Sequence, residues 1–294
     1  MTIREPAAIA VALVLACAGC AAPGRSVPEA SRSGSGPSAT AGTPAPGGGA
    51  RPSLPAAPHG WTRDRIRAAV AEHPGTTRTA APTVLNSLVG AVFTHSAGGD
   101  HFCTASVVDS AGLNLIVTAA HCVYDPHLGQ RDDLVFVPGY RGGDTPNGVW
   151  PLLSVTVDQA WKDSGDPDVD VAFAVVAPQG GQQVQQVLGA NLLGIDRGFR
   201  LPVKVTGYPS SGELPITCSN TTTEQSPTQL RVDCPDYTGG TSGSPWVTDF
   251  DPGTMTGTVV GVIGGYQEGG DTADTSYSSY FGERVQDLYD RATG

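Results

Sequence analysis

From residue 82 onward the sequence predicts an all-β fold, with antiparallel sheets closed into barrels or packed as a sandwich. Three observations lead there. β-Branched and other apolar residues gather in short runs rather than at helical spacing. Gly, Asp, Asn and Pro separate the runs, and these are the residues that form turns. Charged residues make up only 15% of the chain while Gly, Ser, Thr and Pro abound, a profile that suits a turn-rich exported β protein.

Ahead of that region, residues 1–20 begin with Arg4, continue through an apolar run over 7–16 and finish in small residues, the layout of a secretory signal. The run is too short to cross a bilayer of roughly 30 Å. Leu15-Ala16-Cys17-Ala18-Gly19-Cys20 also resembles a bacterial lipobox, with Cys17 where that pattern has Leu, so a lipid anchor at Cys20 stands beside plain secretion. Residues 21–58 are almost all Ala, Gly, Ser, Pro and Thr and bury too little apolar surface to offset their ordering entropy, so they read as a tether. Residues 59–81 contain a helical pattern over 61–73, with Thr62 as N-cap and Pro74-Gly75 as the stop. That stretch reads either as a pro-segment or as a helical fragment of the linker. One large domain, 82–294, follows.

Within it, strands are expected at 89–93, 105–108, 115–119, 134–137, 149–157, 169–177, 201–208, 230–232 and 259–263, and a helix only at 284–291. No internal repeat, phosphate-binding G-x-x-x-x-G-K-[ST] or strand-linked G-x-G-x-x-G appears. Residues 82–294 carry 9 Lys and Arg against 24 Asp and Glu, whereas residues 1–81 carry 8 against 4. So acidic a surface repels phosphate backbones and anionic lipid, which argues against nucleic-acid partners. Besides Cys17 and Cys20, four cysteines remain, an even set that in an exported chain implies disulfides. Four allow three connectivities. Sequence order suggests Cys103 with Cys122 and Cys218 with Cys234, each closing a loop worth about 3 kcal/mol in the chain-entropy account.

Three stretches carry candidate chemistry. In Thr238-Gly239-Gly240-Thr241-Ser242-Gly243-Ser244-Pro245-Trp246, glycines flank a serine in a tight turn, which suits a nucleophile that must reach an incoming carbonyl. The N–H groups of Gly240 and Ser242 could converge there as an oxyanion hole. The same composition also makes plain turns. His121, in Thr118-Ala119-Ala120-His121-Cys122, stands at the end of an apolar run with small residues before it. Alone, a His in such a setting is more often structural. In Asp168-Val169-Asp170-Val171-Ala172-Phe173, period-2 alternation puts Asp168, Asp170 and Ala172 on one face and Val169, Val171 and Phe173 on the other. A carboxylate opening so apolar a strand is costly unless paired. A solvated strand end, or a weak cation site from Asp166, Asp168 and Asp170, would also explain it.

Taken in the order His121, Asp170, Ser242, these stretches resemble the T-A-A-H-C, D-[IV]-A-[LF] and G-x-S-G-[GS]-P motifs of the trypsin/chymotrypsin superfamily of serine endopeptidases, over about residues 85–293. The resemblance implies two six-stranded antiparallel barrels with a cleft between them and a C-terminal helix. It also supports Cys103–Cys122. His121 then acts as general base, Asp170 holds its tautomer, and Ser242 attacks through an acyl-enzyme, with no metal or other cofactor. The implied partner is a peptide or protein substrate, and the expected state is a secreted or lipid-anchored monomer. A non-catalytic binding module on the same fold is the alternative from another class. An esterase-like hydrolase is disfavoured by the lack of α/β alternation.

Departures narrow the branch. Thr241 precedes the nucleophile where animal digestive enzymes have Asp, and no I-V-G-G terminus is present, so activation by insertion of a new N-terminus is not expected. The segment T-G-G-x-S-G-S-P is similar to that of bacterial glutamyl endopeptidases, yet Ile263 or Gly264 stands where those enzymes have a pocket His. Asp236, six residues before Ser242, is the candidate pocket base for a Lys or Arg side chain, with the backbone near Gly264 and Gly265 completing the pocket. An exposed loop Asp is the competing reading. Arg63, Arg65, Arg67 and Arg78 would let an Arg-cleaving enzyme trim itself after Arg78.

Overall fold

The structure, a computed structural model, describes Thr62, Arg65, residues 73–96 and residues 99–294. The leader at 1–20, with Cys17 and Cys20, the tether at 21–58 and most of the 61–73 helix lie outside the described residues. Thr62 Oγ1 does accept from Arg65 N–H at 3.1 Å, the contact expected of an N-cap.

Apolar alternation closes the first half into a barrel. Its strands are β2 (Val89–Ser96), β3 (Gly99–Val108), β4 (Leu115–Thr118), β7 (Val135–Pro138), β8 (Trp150–Val157) and β9 (Ala172–Val176). They pair antiparallel in the ring order β2-β3-β4-β9-β8-β7. Val92, Val107, Ile116, Phe136, Trp150, Ala172 and Ala174 fill its interior. Val171 and Phe173 point the other way and join Val117, Val247, Val262 and Phe281 between the two halves. One strand thus serves two cores, which its period-2 pattern anticipates. The alternation does not extend back to Val169, because Pro167–Val169 is a 3₁₀ turn and the strand proper starts at Ala172.

The second half holds a sheet ordered β1 (Arg78–Thr79), β12 (Ile216–Thr221), β11 (Pro202–Gly207), β15 (Pro245–Asp251), β16 (Thr256–Val262) and β10 (Leu192–Leu193). Facing it is a sheet of β13 (Thr223–Ser226), β14 (Gln229–Asp233) and β17 (Thr275–Ser279). Val205, Leu230, Val232, Trp246 and Val260 pack between the two as one core, so the second half is a pair of facing sheets where a second closed barrel was expected. A small hairpin of β5 (Tyr124–Asp125) and β6 (Gly129–Gln130) follows His121.

Disulfides join Cys103 to Cys122 and Cys218 to Cys234. The C-terminal helix Glu283–Thr293 buries Val285 and Leu288 against the shared core. Its Arg284 reaches Asp158 at 2.9 Å and Asp166 at 3.6 Å, tying the chain end to the first barrel.

Residues assigned to a pro-segment by sequence take part in the fold. Arg78 and Thr79 pair with Thr217 and Ile216 as an edge strand, Ala80 N–H donates to Pro215 O at 2.8 Å, and Arg141 Nη1 donates to Ala80 O at 2.7 Å. Cleavage after Arg78 would cut inside this two-residue edge strand. A two-residue polar strand shows no periodicity, so nothing local announces it.

Candidate active site

His121 lies in the single turn Ala120–Val123, directly after β4 delivers the chain to the junction of the two halves. Cys122 anchors that turn to β3. Asp170 ends the Pro167–Val169 turn with φ −73° and ψ 59°, and this departure from strand geometry aims its carboxylate at His121. Its Oδ2 lies 2.8 Å from His121 Nδ1, and its Oδ1 accepts the His121 backbone N–H at 2.9 Å. Gly265 N–H donates to the same Oδ2 at 2.9 Å. The carboxylate is wholly buried, whereas the His121 side chain keeps 12% exposure. So deep an anion is tolerable only because each oxygen accepts hydrogen bonds. Burial works against protonating the His121 ring. The Asp170 charge and hydrogen bond, with a contribution from Glu268, outweigh it and hold the imidazole above its ordinary value, opposed weakly by Arg131.

The three Asp carboxylates do not converge on a cation. Asp166 Oδ1 caps Asp168 N–H at 3.0 Å, Asp168 Oδ1 accepts from Gln229 Nε2 at 2.8 Å, and Asp170 faces His121. Of the two carboxylates on the predicted face, Asp170 alone is the histidine's partner.

Ser242 occupies a loop folded on itself. Thr241 N–H donates to Thr238 O at 3.1 Å and Ser244 N–H to Thr241 O at 3.0 Å, while Gly240 and Gly243 take φ values of 91° and 80°. These backbone angles favour glycine. At Gly243 a Cβ would also collide with Thr104 O and Thr118 Oγ1, so the loop packs onto β3 and onto the end of β4 that leads to His121. Thr104 fastens it there. Its N–H donates to Ser242 O at 2.7 Å and its Oγ1 to Gly240 O at 3.0 Å. Among the described residues the N–H groups of Gly240 and Ser242 donate to no protein acceptor, unlike those of Thr241, Gly243 and Ser244 around them. Two unused donors are what an oxyanion hole requires.

A cavity of about 370 Å³ opens beside Ser242, lined among others by Thr238, Ile263, Gln267, Glu268 and Asp271. A second, of about 470 Å³, lies on the His121 side with Arg131 and Trp161. Gln267 and Glu268 border both. They hold left-handed φ values of 53° and 52°, a conformation that side chains of this kind seldom adopt.

Two expected pocket residues sit elsewhere. Asp236 is exposed at φ 70° and lines neither cavity, because the next ring, Tyr237, turns into the core and donates to Val205 O at 2.8 Å. Gly264 backs onto Asp170, where a Cβ would stand 3.0 Å from Oδ2. The wall it was expected to form is supplied by Ile263 and the segment after Gly265. Sequence reading missed Gln267, Glu268 and Asp271, and only the Gly-rich, acidic composition of residues 264–274 hinted at a loop there.

A closed barrel, a second sheet core and a C-terminal helix define the chymotrypsin-like fold. Solved structures similar to this chain include bacterial trypsin/chymotrypsin-like serine proteases. Protease Anisep from Arthrobacter nicotinovorans superposes with a TM-score of 0.65 at 27% identity, covering 74% of this chain and 99% of its own. The thermostable serine protease AL20 from an extremophilic microorganism gives 0.64 at 29% identity, covering 71% and 97%. A Glu endopeptidase gives 0.60 at 17% identity, covering 75% and 97%, a likeness of fold alone. No family model matches the chain, and no curated protein sequence matches it.

Proposed function

We propose that this chain is an exported serine endopeptidase that hydrolyses peptide bonds through His121, Asp170 and Ser242. The observation that carries the reading is the buried Asp170 carboxylate held 2.8 Å from His121 Nδ1, which leaves Nε2 as the ring's free proton acceptor. In the proposed reaction Nε2 takes the Ser242 hydroxyl proton as Oγ bonds to the scissile carbonyl carbon. The C–N bond then breaks, and the same proton passes to the leaving amine. Water repeats the sequence on the acyl-enzyme. Gly240 and Ser242 N–H groups meet the oxyanion in both halves. The two disulfides and the leader-like residues 1–20 support export.

For specificity, Glu268 and Asp271 line the cavity beside Ser242 and no Lys or Arg does, which supports a Lys or Arg side chain before the scissile bond rather than a glutamate. Asp236 has no part in this. Labelling with an organophosphorus reagent tests the nucleophile: one adduct, on Ser242 and absent in Ser242→Ala, is expected. Absence of any adduct would favour a non-catalytic binding module on the same fold. Peptide and ester libraries, read by mass spectrometry, distinguish an endopeptidase from an esterase and report the residue preference.

A further inference from the structure

We infer that Gln229 is a positioning residue that locks the turn carrying Asp170 to the wall of the substrate cleft. The inference rests on the proposal that Asp170 orients His121. Gln229 opens β14 in the second half, only 4% exposed, and its amide spans the gap to the first barrel. Nε2 donates to Pro167 O at 2.9 Å and to Asp168 Oδ1 at 2.8 Å, both in the turn that ends at Asp170. Oε1 accepts from Tyr266 N–H at 3.1 Å. The residue before Tyr266 is Gly265, whose own N–H donates to Asp170 Oδ2.

The result is a closed circuit. Asp170 is held by Gly265, Gly265 is followed by Tyr266, Tyr266 is held by Gln229, and Gln229 returns to the residues just before Asp170. Ser279 reinforces it, accepting from Asp170 N–H at 3.1 Å while its Oγ donates to Pro167 O at 2.9 Å. All polar atoms of the Gln229 side chain are used, and no other residue type of that length supplies two donors on one side and an acceptor on the other. Gly265 is at φ 79°, and a Cβ there would collide with Gln229 Oε1, so the glycine is what lets the amide approach. A misplacement of the order of 1 Å in a catalytic group costs up to about a hundredfold in rate. The circuit prevents that for Asp170 from a residue that touches neither His121 nor substrate.

The test compares Gln229→Met and the shorter Gln229→Asn with the parent enzyme, and then introduces each into Asp170→Asn. With folding checked by thermal melts, the expected result is a fall in kcat of about tenfold with KM within about twofold. In the Asp170→Asn background the further loss should be under about twofold, since the position being guarded no longer bears the carboxylate. Equal losses in both backgrounds, or a raised KM with unchanged kcat, would overturn the inference. So would failure of both variants to fold, which would make Gln229 structural. Full activity in Asp170→Asn itself would instead remove the triad proposal, and the two failures are thereby told apart.

Discussion

Asp170 grips His121 at two points, its Oδ2 meeting Nδ1 at 2.8 Å and its Oδ1 the backbone N–H at 2.9 Å. Ring tilt and the position of the turn are therefore set by one carboxylate. Asp168, on the same predicted face, is taken up by Gln229. Asp170→Asn is expected to lower kcat by several orders of magnitude through loss of the correct imidazole tautomer, and Asp168→Asn by less than about tenfold. Steady-state kinetics on one peptide substrate decides; the reverse ranking would reassign the pair.

The pH profile follows from the same contact. His121 must be neutral to accept a proton, and Asp170 with Glu268 holds its titration above the ordinary 6.5. Activity should therefore rise with pH through a midpoint above that value. Glu268→Gln removes one of the groups raising it and should move the midpoint of kcat/KM downward. For stability the sign is opposite: a raised folded-state value favours the protonated form, so this contribution is present below 6.5 and fades as pH climbs through the folded midpoint. An unmoved activity midpoint in Glu268→Gln would remove that carboxylate from the account.

Gly243→Ala should be severe without touching a catalytic group. The backbone sits at φ 80° and the added carbon would meet Thr104 O and Thr118 Oγ1. Left-handed strain alone costs of order 1–3 kcal/mol, and the collision adds to it. A melt of this variant within a degree of the parent would contradict the geometry.

Opening Cys103–Cys122 as a double Ala variant should cost about 2–4 kcal/mol in denaturant unfolding. Because Cys122 follows His121, activity should fall along with stability. Cys218–Cys234, clasping the second core, should lower stability alone. A loss of activity confined to the second pair would reverse this assignment.

Specificity is tested by three substitutions. Asp236→Ala should leave cleavage after Lys and Arg unchanged, since the side chain is exposed outside the cavity. Glu268→Gln and Asp271→Asn should each reduce kcat/KM for those substrates by several-fold, read as competition within one peptide mixture. Unaltered preference in both would place selectivity in the cavity's shape, with Ile263 as its wall.

The sequence by itself determined what depends on neighbours along the chain. Period-2 alternation in residues 171–175 showed which side chains face which core, because pleating alone dictates it. The tight glycine turn around Ser242 and the local pairing of four cysteines were legible for the same reason. Tertiary structure alone decided what depends on contacts across the fold. Asp168 and Asp170 are indistinguishable by pattern, and it is the Pro167–Val169 turn, closed by a glutamine some sixty residues away, that turns one toward His121 and the other away. Asp236 was misplaced because burial of Tyr237 in a core assembled from distant strands swings its neighbour outward. Edge strand Arg78–Thr79 carries no local signature, and for Gln267, Glu268 and Asp271 the composition marks only a loop, not a cavity wall. Their places come from hydrogen bonds and packing between segments far apart in the chain, and periodicity holds no record of such pairings.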